Sequence, residues 1–248
     1  MSIESVRIVK KRSYPEIEEI KKSLRVSEDG EICLAIGGDG TFLRAAKRFD
    51  CPILYVRGGE KNSLGCRADI TLSEIKEAIE DLKQGIYSIE RYPKLRITYR
   101  NQTYNAINDV VLFRAGPSAI HFEANYYDGE GNELPLYPRD VRGDGIIFTR
   151  QIGSTAYNYF ARGPILFDVD ALIVTPISAN HALSIVTDKD FHVKITKSAG
   201  LLEYDGVHIA KLDVGDSFTI TKSDEAVKIV KLKIREKFSD KLARLESF

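Results

Sequence analysis

Five residues, Gly37-Gly38-Asp39-Gly40-Thr41, constrain this chain more than any other short stretch because of what flanks them. Ahead of them Ile32-Cys33-Leu34-Ala35-Ile36 is a short apolar run that reads as a buried strand. After them Phe42, Ala45, Ala46 and Phe49 recur at helical spacing, with Arg44, Lys47 and Arg48 on the other side. The unit is therefore strand, glycine-rich turn, helix. Glycines let the backbone bend sharply and approach a ligand, and the helix start points N–H groups at it, an environment that suits a phosphate. Asp39 would repel a phosphate unless it binds a metal ion or takes a proton from an attacking hydroxyl. That combination hints at phosphoryl transfer to an alcohol. The turn lacks the Lys-Ser/Thr pair of the Walker loop and does not fit G-x-G-x-x-G. A plainer reading stands beside it: a tight loop whose Asp39 caps the helix.

The 248 residues suffice for one large domain or two modest ones. Lys plus Arg and Asp plus Glu balance at 36 each, so no global field favours nucleic acid or acidic membranes. No apolar run reaches the roughly 18 residues of a membrane span, and Met1-Ser2-Ile3-Glu4 lacks the features of a signal peptide. A cytoplasmic protein is expected. Cys33, Cys51 and Cys66 are odd in number and widely spaced, which suits buried thiols better than disulfides or a metal knuckle. His121, His181, His192 and His208 are equally scattered, so no residues present themselves as ligands of a structural metal.

Residues 1–85 alternate strand and helix patterns. Val6–Val9 is a strand, a helix from about Pro15 carries Ile17, Ile20 and Leu24, and Pro52–Val56 is another strand. A helix over about 72–83 carries Ile75, Ile79 and Leu82. This alternation predicts an α/β domain with a parallel sheet. Residues 86–232 change texture to short strand-like runs punctuated by Asp128-Gly129, Asp205-Gly206 and Gly215-Asp216, as in a β-rich, sandwich-like domain. The predicted runs there include Leu95–Tyr99, Val110–Phe113, Gly145–Thr149, Ser217–Thr221 and Val227–Leu232. Residues 233–248 predict a terminal amphipathic helix, with Phe238, Leu242 and Leu245 on one face, that packs back on the body.

Two segments in the β-rich part look too specific for plain core. In the first, Asn108-Asp109 sits at the mouth of the apolar strand Val110-Val111-Leu112. Asn can read an adenine edge or a ribose hydroxyl, and Asp accepts from hydroxyls or amines; an Asx turn starting the strand is the plainer reading. The second runs from Arg142-Gly143-Asp144-Gly145 through a strand to Gly153-Ser154-Thr155-Ala156-Tyr157, closed by Gly163-Pro164. Small and hydroxyl-bearing residues at a strand-to-helix switch admit a flat ring, on which Tyr157 could stack. In plainer terms Ser154 or Thr155 is a helix N-cap, and Arg142 with Asp144 a surface ion pair.

Taken in order, GGDGT with its helix, the Asn-Asp pair before a strand, and R-x-D-G plus GSTAY ending in Gly-Pro resemble the NAD kinase family. The likeness extends to Thr175-Pro176-Ile177 with His181 and Leu183, to Tyr204-Asp205-Gly206, and to Leu212 with Gly215-Asp216. It spans about residues 32–245. The stretch from Val56 to Cys66 departs from the family's usual strand end and Leu-Gly-Phe. The resemblance implies a Rossmann-like α/β N-terminal domain and a β-rich C-terminal domain with the active site between them, in a homodimer or homotetramer. It implies phosphorylation of the 2′-hydroxyl of the adenosine ribose of NAD, with ATP or polyphosphate as donor and Mg2+ or another divalent cation on it.

By the same resemblance Asp39 is the proton acceptor. Gly37, Gly38, Gly40, Thr41 and Arg44 would meet the donor phosphates, and Gly40 the substrate as well. Asn108 and Asp109 would hold the adenosine and ribose; Thr155, Ala156 and Tyr157, with Ser154 beside them, would line the adenine pocket; and Arg142 and Asp144 would lie near the nicotinamide end. Two other readings of the motif are a kinase of another alcohol, lipid or diacylglycerol-like, and a non-catalytic nucleotide sensor. The first would need an amphipathic or basic face, which the sequence lacks, and the second has no use for Asp39.

Overall fold

A computed structural model describes residues 2–59, 68–233 and 237–246. The chain forms two compact units, Met1–Tyr92 with Val227–Phe248, and Pro93–Ala226. These divisions lie at 92/93 and 226/227, beside the 85/86 and 232/233 drawn from sequence texture.

The first unit opens with β1 (Ser5–Lys10), α1 (Ile17–Ser23), β2 (Arg25–Val26), β3 (Ile32–Gly37), α2 (Asp39–Arg48), β4 (Ile53–Arg57), β5 (Ile70–Thr71) and α3 (Ile75–Gln84). Its strands are parallel in the order β4-β3-β1-β2, with β5 beside β4. The near-continuous apolar run of β3 is what a strand covered on both faces requires. Successive side chains of a strand point to opposite faces. Ile32, Leu34 and Ile36 accordingly join Ile17, Ile20, Ile75, Ile79 and Leu82 of α1 and α3 in one core. On the other face α2 lays Phe42 on Tyr55, ring centroids 5.2 Å apart and nearly parallel. Thr71 and Glu74 form a capping box ahead of α3, and Gly85 ends that helix in the left-handed conformation.

The second unit contains β6 (Tyr87–Tyr99, entering from the first unit), β7 (Gln102–Ala106), β8 (Asp109–Arg114), β9 (Ile120–Tyr127), β10 (Glu133–Pro135), β11 (Val141–Gly143) and β12 (Gly145–Thr149). A short helix, α4 (Tyr157–Phe160), precedes β13 (Leu172–Ile177), β14 (Ile185–Thr187), β15 (Phe191–Lys197), β16 (Gly200–Tyr204), β17 (Val207–Leu212) and β18 (Ser217–Leu232), whose end from Val227 belongs to the first unit. One sheet is antiparallel in the order β14-β13-β12-β8-β16-β17. The other places β9 and β15 side by side, with β10 and β11 on β9 and the start of β18 on β15. Their inner faces share a core that includes Leu112, Phe122, Phe148, Val174, Phe191 and Leu202. This is the sandwich expected from the strand texture. The predicted strands 217–221 and 227–232 are one strand, β18, because the polar residues Lys222–Glu225 between them stay extended. Likewise β6 starts well before Leu95.

Cys33 is buried, and burial with Cys51 nearby pushes its thiol up to about 12. Cys51 is only partly covered, and Cys66 lies outside the described residues. Among the described residues no helix is long and apolar enough to cross a membrane.

In the terminal helix α5 (Phe238–Glu246) Leu245 is buried and Lys241 reaches the buried carboxylate of Asp69. Lys231 of β18 pairs with the same carboxylate at 2.6 Å. Burial pushes the Asp69 carboxyl up, but the two ammonium groups outweigh it and hold the group below its ordinary 3.8. A depressed carboxylate stabilises the fold above its unfolded-state pKa and loses that contribution as pH falls through the folded value. Asp69→Ala should therefore cost about 3–5 kcal/mol at pH 7 by taking the shared carboxylate away from two buried lysines. In urea unfolding the gap between wild type and Asp69→Asn should close as pH drops below about 3.8. A gap independent of pH would rule the ion triad out.

Candidate active site

In the first unit α2 begins at Asp39, with Gly38 as its N-cap and no side-chain capping bond. Asp39 is thus inside the first turn, where a negative charge meets the positive end of the helix. The simple capping role is corrected accordingly: a residue at the first helical position cannot reach back to the N–H groups a cap serves. Its Oδ1 instead accepts a hydrogen bond from the Tyr55 hydroxyl at 3.2 Å. Tyr55 is itself held by Phe42, so the helix and strand that make the core also aim the carboxylate. The N–H groups of Asp39 and Gly40 have no intrahelical acceptor at this end of the helix.

Gly37 is required by contact. A Cβ there would lie 2.5 Å from Thr41 Oγ1 and 3.3 Å from Lys11 Cβ. Thr41 is buried over it, its N–H donating to Gly38 O at 2.8 Å and its Oγ1 accepting from Arg44 at 3.3 Å. Arg57 pairs with Gly37 in the parallel register, so Lys11 and Arg57 flank the glycine across the carboxyl ends of three strands. Open α/β sheets bind ligands at that edge. Arg57 Nε is buried with no hydrogen-bond partner among the described residues. Sequence reasoning singled out Arg44 but not Lys11 or Arg57, since only register shows that they share a face. The departing stretch after Gly59 lies outside the described residues up to Ala68.

In the second unit several of the expected residues converge. β8 starts at Asp109, which is buried, and β12 runs antiparallel to it with Thr149 opposite Asp109. The turn Gly153–Thr155 follows β12, and Gly153 sits so close that a Cβ would fall 1.9 Å from Asn108 O. Thr149 Oγ1 donates to that same carbonyl at 2.5 Å. Tyr157 stands at the next helix start, 39% exposed. Its phenol is pushed above 10 by burial and then by the carboxylates of Asp109 and Asp144, so these three groups share one neighbourhood. Neither Ser154 nor Thr155 acts as the expected N-cap. Ser154 is buried and its hydroxyl donates inward to Gln151 O at 2.9 Å.

The surface pair of Arg142 and Asp144 is not formed. The chain leaves one sheet at β11 and enters the other at β12, so the two side chains part at Gly143. Asp144 makes a close charge contact with Arg114 Nε at 2.7 Å instead. Arg142 is exposed, with its backbone bridged to Asn180. An Asx turn at Asn108-Asp109 is absent as well: the N–H groups there donate to Asp205, across the sheet.

Asn158 was not singled out in the sequence. Fully buried, it donates to Ser154 O and Pro164 O at 3.0 and 2.8 Å and accepts from Thr175 Oγ1 at 2.6 Å. It ties the turn to the Gly163-Pro164 loop and to β13.

The family model for the ATP-NAD kinase C-terminal domain matches residues 107–232. An NAD kinase of Natranaerobius thermophilus is 33% identical over 225 residues, 85% of this chain and 76% of that protein. The chain belongs to the NAD kinase family. An NAD kinase of Lachnoclostridium phytofermentans is 32% identical across 92% of this chain and 85% of its own length. Among solved structures, an Archaeoglobus fulgidus NAD kinase in complex with ATP superposes with a TM-score of 0.77, covering 98% of this chain and 99% of its own, at 21% identity. Yeast NADH kinase complexed with NADH reaches 0.78, covering all of this chain and 88% of its own, at 19% identity. These two likenesses establish the NAD kinase fold for this chain.

Gly153→Ala should destabilise the protein by about 1–3 kcal/mol or more, since the atoms it meets include a backbone carbonyl that cannot swing away. Thermal unfolding reads this directly, and an unchanged midpoint would show that the turn has room to move off Asn108.

Proposed function

We propose that this chain transfers the terminal phosphoryl group of a donor to the 2′-hydroxyl of the adenosine ribose of NAD, giving NADP. The observation that carries the reading is Asp39: a half-buried carboxylate in the first turn of a helix otherwise suited to phosphate, aimed by Tyr55. Family membership supplies the substrate. In the proposed step the ribose 2′-oxygen forms the new bond to phosphorus, the bond from phosphorus to the donor's bridging oxygen breaks, and the hydroxyl proton passes to Asp39 and on to solvent. Phosphoryl transfer asks the protein chiefly to position and to stabilise charge.

The N–H groups of the Gly38–Gly40 turn, with Arg44, Lys11 and Arg57, are the groups proposed for the donor phosphates; Thr41 serves from behind by seating the helix on Gly37. A divalent cation would arrive on the donor and neutralise its charge. Asp39 is the one carboxylate of the turn that could meet it, since no three His, Cys, Asp or Glu side chains cluster as a cage among the described residues. ATP is the proposed donor, in keeping with the complex formed by the Archaeoglobus relative, and polyphosphate is the competitor to exclude. Asn108 and Asp109 would take the ribose and adenosine. Thr155, Ala156 and Tyr157 would line the adenine site, with Ser154 behind them. Arg142 and Asp144 are assigned to the nicotinamide end. A homodimer or homotetramer in the cytoplasm is the proposed working form.

Asp39→Asn should leave the Michaelis constant for NAD nearly unchanged and lower turnover by roughly two to four orders of magnitude, the scale of a lost general base. Near-normal turnover would remove Asp39 from that role. Tyr157→Ala should raise the Michaelis constant for NAD through lost stacking, and an unaltered constant would take Tyr157 out of the pocket. Assaying NAD and NADH against ATP, other nucleoside triphosphates and polyphosphate decides the donor.

A further inference from the structure

The Asp205-Gly206 turn joins β16 to β17 as a two-residue hairpin loop, with Tyr204 opposite Val207. Both loop residues have positive φ, 47° for Asp205 and 72° for Gly206, as the mirror-image hairpin turns require. A hairpin loop usually ends in solvent. This one turns its carboxylate onto the start of β8. Asp205 Oδ1 accepts from the backbone N–H groups of Ile107, Asn108 and Asp109 at 3.1, 2.6 and 3.3 Å, and Oδ2 accepts from Ile107 at 3.0 Å. The N–H of Asp205 in turn donates to Asp109 O at 3.0 Å.

Three consecutive N–H groups converging on one carboxylate form a nest for an anion, and here the anion is supplied by the chain itself. Hydrogen bonds to a charged acceptor are about twice as strong as neutral ones. The peptide ahead of Asn108 is gripped on its N–H side by Asp205. The Asn108 carbonyl is gripped by Thr149 and has Gly153 packed against it. The backbone that carries Asn108 and Asp109 is thus held from both sides, and by elements distant in sequence.

We infer that Asp205 is a positioning residue for dinucleotide binding: its carboxylate fixes the backbone of Asn108-Asp109 so that their side chains meet the adenosine ribose in a preset arrangement. This rests on the assignment of Asn108 and Asp109 to NAD made above. Preset geometry lowers the ordering cost of binding, so its loss appears in the affinity for the dinucleotide and not for the donor.

The test uses Asp205→Asn and Asp205→Gly in the full chain, because Asn and Gly both tolerate the left-handed conformation and keep the turn. Asn retains one acceptor oxygen and Gly none. The Michaelis constant for NAD should rise roughly tenfold in the Asn variant and further in the Gly variant, the scale of losing bonds to a charged acceptor. The donor constant should stay near wild type, and the variants should remain folded with an unfolding midpoint lowered in the same order. Amide hydrogen exchange at Ile107, Asn108 and Asp109 should quicken in the same order. In an Asn108→Ala,Asp109→Ala background, Asp205→Asn should add little, since it acts through those two side chains. If Asn108→Ala raises the NAD constant while folded Asp205 variants do not, the positioning role is wrong and the proposed function stands. Independent, multiplying effects in that background, or unchanged exchange at the three amides, would overturn it too. If Asn108→Ala itself leaves the NAD constant unchanged, the assignment of Asn108 fails and takes this inference with it.

Discussion

Close packing onto a glycine, with no room for a Cβ, is the constraint on which both units depend. At Gly37 the first turn of α2 lies directly on the end of β3, and Thr41 occupies the space a side chain would need. Because the helix sits that low, Asp39 comes within reach of the Tyr55 hydroxyl on the neighbouring strand. At Gly153 the turn after β12 lies on the carbonyl of Asn108. That contact sets where Thr155, Ala156 and Tyr157 begin. In each case one missing methyl group places a polar backbone and a side chain of the candidate site, and the surrounding core then holds them at interior packing density.

Three aspartates show how surroundings divide the labour of one side chain. Asp69 faces two lysines and serves as an anchor for the terminal helix. Asp205 faces backbone N–H groups and organises a strand entry. Asp39 accepts a hydrogen bond from the Tyr55 phenol, is half-buried, and opens the first turn of a helix. One side-chain type thus serves as an ion anchor at Asp69, as a backbone clamp at Asp205 and, at Asp39, at the start of a helix.

Much of this architecture was legible in the sequence, and the rest fails for identifiable reasons. The strand-turn-helix unit at residues 32–48, the α/β and β-rich textures and the terminal amphipathic helix all follow from hydrophobic period and turn chemistry. The continuous strands β6 and β18 were cut short because polar residues interrupt their alternation, while their ladders do not need apolar side chains. Arg142 and Asp144 looked like a pair because they are two residues apart; the chain changes sheets between them, and Arg114 at the far end of β8 takes the partner's place. Lys11 and Arg57 were invisible as neighbours, since their nearness lies in the register of parallel strands and leaves no local trace. Asp205 announced itself only as a hairpin residue, a reading that is correct and incomplete.

The segment from Gly153 to Tyr157 changes meaning once its interior is seen. Its small and hydroxyl-bearing residues read as a place where a flat ring could approach. Ser154, Asn158, Thr175 and the Pro164 carbonyl instead satisfy one another in a buried network beneath the surface. Such a network, with its members paired, rigidifies the backbone it supports. The consequence falls on Tyr157, the one large exposed side chain of the segment. Its helix start is fixed by Asn158 on one side and by the Gly153 contact on the other. Burial and the nearby Asp109 and Asp144 keep its phenol protonated well past neutral pH. A ring presented in this way gives up little freedom if a flat partner stacks on it, so the buried network beneath Tyr157 acts by ordering it.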